Sequence, residues 1–152
     1  MTSRDPMSRF VAAEKVWDAV EAAGEEGLRG PEICENANLK RGQFENGKAQ
    51  VRDFMAKEKQ KSFIYDGDRY ATTRDTGRCA LAVVIRVSSV DKQLRRIYDS
   101  ICEPLGDAAD QDPTLSYLKN QIKAMLGNMD VMRSAGFLPK SKKLRANSAS
   151  KG

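Results

Sequence analysis

The sequence predicts a mainly α-helical chain with one small β-hairpin, followed by an α-helical hairpin of coiled-coil character. Three observations predict it. Apolar residues recur at three- and four-residue steps over 10–23 and again over 43–59. Between helix and helix, Tyr65-Asp66-Gly67-Asp68 sets an Asp-Gly pair among aromatic and β-branched residues, the signature of a tight hairpin turn. Past residue 78, Ala80, Val83, Val87, Val90, Leu94, Ile97 and Ile101 step three and four apart over three heptads.

Each element has its own signals. Ser8 can cap a first helix. Phe10, Ala13, Trp17 and Val20 recur along that helix, with Val16 and Ala23 beside them, and 24–27 ends it. Gly30-Pro31-Glu32 opens a short second helix, because proline suits the first helical position and an acid the first turn. Ile33, Cys34 and Ala37 form its apolar stripe, and Asn36-Ala37-Asn38 closes it. Residues 39–42 read as a tight turn. The third helix, 43–59, gathers Phe44, Val51 and Met55 on one face, with Phe54 at its margin. Asn46, Ala49, Gln50, Asp53 and Lys57 lie opposite, flanked by Glu45 and Arg52. Phe10, Trp17, Phe44 and Phe54 are expected in the core.

The hairpin covers 62–72. A two-residue turn would set Phe63 opposite Tyr70, and a three-residue turn Ile64 opposite Tyr70; the sequence leaves both open. Residues 74–77 read as a linker. The β-branched density of 83–87 allows a strand over 79–87, but the heptad spacing favours one long helix. Residues 104–113 read as an acidic loop, and Pro113 or Thr114 opens a last helix. Leu115, Leu118, Ile122, Met125, Met129 and Met132 line that helix, and Gly136 stands where a C-cap glycine would. The stretch 139–152 is basic and serine-rich, with no acid, and is expected to be disordered; 1–9 is expected to be flexible.

Composition excludes several classes of function. The 152 residues contain no histidine, which removes histidine-based catalytic triads, histidine-ligated metals and histidine pH switches. Cys34, Cys79 and Cys102 are isolated and odd in number, as expected of buried thiols in a reducing cytoplasm. No nucleophile–base pair is visible, so no enzyme is expected. No cofactor or metal is expected either: Asp107, Asp110 and Asp112 lack the remaining ligands of a calcium loop, and the methionines of the last helix are core or interface. No apolar run approaches a membrane span, and the N-terminus has no apolar leader. The expected location is therefore cytoplasmic, and nucleoid-associated if the source is bacterial, with no membrane partner.

Charge is distributed unevenly. Residues 40–61 hold seven basic side chains against three acids, whereas 14–26 holds one lysine against five acids. Helix, short helix, tight turn, helix and hairpin within residues 10–73 resemble a winged helix-turn-helix domain. The resemblance rests on Trp17 and Val20, Gly30-Pro31-Glu32-Ile33, Leu39, then Phe44, Val51 and Met55, and the wing Tyr65-Asp66-Gly67-Asp68-Arg69-Tyr70. It implies a recognition helix at 43–59 lying in the major groove of double-stranded DNA, with the wing on backbone or minor groove. On that helix Gln43, Asn46 and Gln50 carry the paired donor and acceptor that read adenine. Arg41 and Arg52 suit guanine or phosphate, Ala49 a thymine methyl, and Lys40, Lys48 and Lys57 phosphates. Arg69 on the wing suits a minor groove. Gly47 costs a helix interior about 1 kcal/mol relative to alanine, which a close backbone approach would explain. The region 78–138 is read as a dimerisation unit burying Val87, Val90, Leu94, Ile97, Leu118, Ile122, Met125 and Met129 against a second copy, since two-fold proteins read two-fold operators. The expected protein is thus a dimeric transcriptional regulator. A winged module that docks another protein, or a replication or partition protein of a phage or plasmid, is the alternative.

Overall fold

The computed structural model describes residues 7–140. The expected flexible start and the basic tail fall outside them, apart from Met7 to Arg9, Pro139 and Lys140. The fold is mainly helical with one two-stranded antiparallel hairpin. It divides into two compact units that part at Val83 and Val84.

In the first unit, α1 (Arg9–Ala22) begins at Ser8, whose hydroxyl accepts a hydrogen bond from Val11 N at 3.2 Å. Its buried stripe is Ala12, Ala13, Val16, Trp17 and Val20. Phe10 shares nearly the same side of the helix as Trp17 but stands in the first turn of α1; it is 68 % exposed, and the expectation that it joins the core is corrected. A single 3₁₀ turn (Gly24–Glu26) leads to Gly27 and Leu28. Leu28 exchanges two backbone hydrogen bonds with Tyr70, at 2.9 and 2.7 Å, and so adds a one-residue bridge to the sheet.

Helix α2 (Gly30–Ala37) has Pro31 in its first turn and ends on Asn38 in the left-handed conformation. Leu39 N reaches back to Cys34 O at 2.8 Å and Asn38 N to Glu35 O at 3.3 Å, which closes the helix and buries Leu39. Helix α3 (Arg41–Gln50) starts two residues earlier than expected. It runs on through a π turn (Val51–Met55) into a last turn, α4 (Ala56–Glu58). Phe44 and Val51 enter the core with Ile33, Leu39 and the α1 stripe, and Met55 packs against it. Phe54 does not; on the wide π turn it is 54 % exposed, a second correction. Gly47 is explained by α1: a Cβ there would stand 2.8 Å from both the carbonyl carbon and the oxygen of Ala12.

Strands β1 (Ser62–Tyr65) and β2 (Tyr70–Thr73) pair with Tyr65 opposite Tyr70. Neither expected register is present, because the loop holds four residues. The Asp66 carboxylate sets its length by accepting from Asp68 N at 2.9 Å and Arg69 N at 2.8 Å. Residues 74–77 are not a linker. Asp75 Oδ1 accepts from Gly77 N and Arg78 N, and α5 (Thr76–Ile97) begins there. Residues 79–87 are helix throughout, as the heptad spacing favoured. Ala82, with Cys79 beside it, packs on Ile64 and Ala71 of the hairpin, and Arg78 pairs with Glu25.

In the second unit, α5 continues through a π turn (Tyr98–Cys102) and a 3₁₀ turn (Glu103–Leu105). The expected acidic loop contains α6 (Asp107–Gln111). Its acids are occupied: Asp110 pairs with Lys119 at 3.1 Å, and Asp112 caps α7 (Pro113–Ser134) through Leu115 N at 2.8 Å. Gly136, at φ +86°, ends α7 as expected, with Phe137 N on Met132 O at 2.9 Å. Charge, rather than a large apolar core, ties α5 to α7. Asp91, almost wholly buried, holds Arg133 at 2.6 Å, and Asp130 holds Arg133 and Arg95 at 2.7 Å each. Arg95 Nε and Asp91 Oδ1 lie 3.2 Å apart but out of line, an ion pair without a hydrogen bond.

Candidate nucleic-acid interface

Two elements frame the site, α3 and the hairpin, and Tyr70 joins them. Its ring meets Phe44 edge-on at 5.7 Å, stacks on Phe63 at 5.6 Å and lies against Tyr65 at 4.7 Å. These rings pack the hairpin onto the helix. Lys48 Nζ sits in the same junction. It lies 5.1 Å from the Phe44 ring and 5.4 Å from the Tyr70 ring, 2.9 Å from Glu45, and 3.3 Å from the Tyr70 hydroxyl. Much of its charge is therefore already answered within the protein, and it serves the junction first.

The remaining expected site residues separate into three groups. Lys40, Arg41, Asn46 and Lys57 are exposed. Gln43, Ala49, Arg52 and Arg69 are half-buried. Gln43 Oε1 accepts from Lys40 N at 2.8 Å and so caps α3, which commits its oxygen to the helix start. The Arg52 guanidinium lies 5.9 Å from the centre of the Tyr70 ring, and Arg69 lies 3.6 Å from Asp68. Gln50 is buried, which corrects its expected place among the base-reading side chains. It stands one residue before Val51, on the turn that packs into the core. Of the three amides expected on the outer face, Asn46 alone is exposed.

The hairpin tip is braced from outside. Arg29 grips Asp68 with two hydrogen bonds, at 2.9 and 3.3 Å, and Tyr65 donates its hydroxyl proton to Gly67 O at 2.8 Å. Three carboxyls around this unit are held below their ordinary values. Asp66 is lowered by the Arg69 and Asp68 backbone N–H groups, and Asp68 by Arg29. Glu21 is lowered by Trp17 Nε1, which donates to it at 2.7 Å. A depressed carboxyl stabilises the fold in full above its unfolded value, and that contribution fades as pH falls through the folded value. The Asp68 and Arg69 amide resonances should therefore titrate with a midpoint below 3.8, the ordinary aspartate value. In Asp66→Ala they should be displaced at neutral pH and should lose that titration. A parent midpoint at or above 3.8 would show that the carboxylate does not hold the loop.

The seam residues of the second unit are also placed. Val87, Leu94, Ile122 and Met129 are half-buried, and Val90, Ile97, Leu118 and Met125 are 41–50 % exposed. Among the described residues from 84 on, only Cys102, Ala109 and Leu138 are fully buried apolar side chains. In the sequence, Lys61 counts only toward the charge of 40–61, with no role of its own, and Arg74 falls in the supposed linker. The hairpin's pairing brings them to the same cleft as Lys57. No pattern in the sequence marks that meeting, because it depends on the strand register.

No helix among the described residues is long and apolar enough to cross a membrane. Compared with protein-family models, with curated proteins and with solved structures, the chain matches none.

Proposed function

We propose that residues 10–73 act as a winged helix-turn-helix reader of double-stranded DNA, and that the chain works as a homodimer in transcriptional regulation. The observation that carries the reading is the outer face of α3. Lys40 at its N-cap and Arg41 and Asn46 on the helix stand exposed, with Lys57 exposed further on in α4, beside a hairpin braced against α3 through Tyr70. Cations along a helix suit phosphates, and an exposed asparagine suits the adenine edge in the major groove. Arg52 and Arg69 would need to turn from Tyr70 and Asp68 to join them.

The homodimer draws on the second unit. Two 22-residue helices with few buried apolar residues between them leave Val90, Ile97, Leu118 and Met125 facing outward. A second copy of the same stripe would cover them.

Binding to duplexes selected from a random library tests the reader. Arg41→Ala and Asn46→Ala should each weaken binding about ten- to a hundredfold, the worth of ~1–3 kcal/mol for a base or phosphate contact, with helicity unchanged. Sedimentation should give a dimer mass for the parent and a monomer mass for Ile97→Asp. Unaltered binding by both α3 variants would overturn the recognition-helix assignment, and a monomeric parent would overturn the dimer. Phe10 and Phe54, exposed on the first unit, favour the second reading, a protein-docking module. A parent that selects no duplex would turn the argument to that reading.

A further inference from the structure

Three clefts differ in chemistry. One, of about 350 Å³ in the second unit, mixes Arg95 and Lys123 with Asp99 and Asp130. Another, of about 540 Å³, sets Pro31, Cys34 and Phe44 beside Arg41 and Glu45. The third, of about 520 Å³, lies where the end of α4 meets the base of the hairpin. It is lined by Lys57, Lys61, Arg74, Gln60 and Ser62, with no acid in its wall.

We infer that this third cleft binds phosphate groups, supplied by a nucleic-acid backbone lying past the C-terminal end of the α3 face. The cleft goes beyond the base-reading surface, because Lys61 and Arg74 lie outside the residues assigned to α3 and the hairpin tip. Only the source of the phosphate rests on the DNA reading.

Four observations carry the inference. Three cations converge there without a carboxylate in the lining. Arg74 is held in place by one bond, from Nε to Gln60 O at 3.3 Å. Among the described residues, neither Lys57 Nζ nor the Arg74 terminal nitrogens form a hydrogen bond or ion pair, so both can turn to an anion. Lys61 spends part of its charge on Glu21, at 3.4 Å, outside the lining.

At the helix end, whose exposed carbonyls would ordinarily repel an anion, three carbonyls are already hydrogen-bonded. Lys61 N caps Ala56 O and Gln60 N caps Lys57 O, each at 3.2 Å, and Lys59 N caps Met55 O at 2.9 Å. Gln60 adopts φ +51° to make this closure, a conformation few non-glycine residues take. Ser62, exposed at the start of β1, adds a hydroxyl donor at the mouth. Guanidinium, two ammonium groups and a hydroxyl form a donor set suited to phosphate oxygens.

The test has two arms on the full chain. In the first, inorganic phosphate is titrated against the labelled protein. Saturable shifts of the Lys61, Ser62 and Arg74 amides are expected, lost in Lys61→Gln/Arg74→Gln. In the second, duplex affinity is followed against salt, and the slope of log K on log [salt] should fall by about two in that variant, with sequence preference kept. Ser62→Asp places a negative charge at the mouth without touching the Glu21 pair, and must have the same effects if the double variant fails to fold. Localised phosphate shifts with an unchanged duplex slope would overturn the nucleic-acid source and leave a free-phosphate site. Neither effect would overturn the cleft altogether. A parent that binds no duplex but shows the phosphate shifts would remove the DNA reading while upholding the phosphate site.

Discussion

Gly27→Ala is expected to detach the hairpin from the helices and to cost the fold about 3 kcal/mol or more. Gly27 is buried at φ +69°, where a side chain is strained whatever the space around it. There is also no space. A Cβ would collide with the Tyr70 carbonyl oxygen, lie 2.9 Å from its carbon and 3.1 Å from the Ala71 Cβ. The obstacle is backbone, and it is the backbone that Leu28 bridges with two hydrogen bonds. Relief therefore means giving up the bridge, and with it the seat of Tyr70 against Phe44. Against a total stability of about 5–15 kcal/mol, that loss is large. Gly42→Ala is the matched control, because its position is helical with nothing within 4 Å. It should stabilise by up to about 1 kcal/mol. Denaturant midpoints followed by Trp17 fluorescence would separate the two, and equal midpoints would show that the Leu28 segment can yield.

Arg133→Met should cost about 3–5 kcal/mol, the usual price of stranding one member of a buried charged pair. Asp91 would keep only the misaligned Arg95, at 3.2 Å, in a site closed to water. Asp130 would keep Arg95, and Pro139 O would lose its bond from Arg133 Nε. Adding Asp91→Leu removes the stranded charge and should recover most of the loss, since well-packed apolar residues replace buried ion pairs at little cost. Unfolding of the single and double variants, followed by circular dichroism, makes the comparison. A double variant as unstable as the single would assign the loss to packing by the arginine stem instead.

Apart from α6, read as loop, the helices and the hairpin were legible in the sequence because their signals are local. Spacing marks α1, α3, α5 and α7, a proline marks α2, and Asp-Gly marks the turn. Details decided across the chain were not legible. The hairpin register depends on one carboxylate bonding two amides, which a count of turn residues does not reveal. Gln50 reads as an outer residue on an ideal helix, yet it is buried where α3 meets the π turn. Phe10 and Phe54 look like core by spacing, yet both are exposed, one in the first turn of α1 and the other on the π turn after α3, where an ideal-helix spacing no longer holds. Within the candidate interface, Lys40, Arg41, Asn46 and Lys57 could be read from sequence and stand exposed. The involvement of Lys48 with two rings and the capping by Gln43 could not, since each depends on a partner's placement.

The packing of Ala82 on Ile64 and Ala71 changes where the N-terminal unit ends. A chain that stopped at the last hairpin residue would keep α1 to α4 and both strands, yet it would uncover the outer face of its own sheet. It would also release Glu25 from Arg78, the contact that ties the loop after α1 to the start of α5. The smallest self-sufficient piece therefore runs about two turns into α5. The same helix that carries the outward apolar stripe also roofs the hairpin, so insertions tolerated elsewhere between two modules would here pry a lid from its sheet.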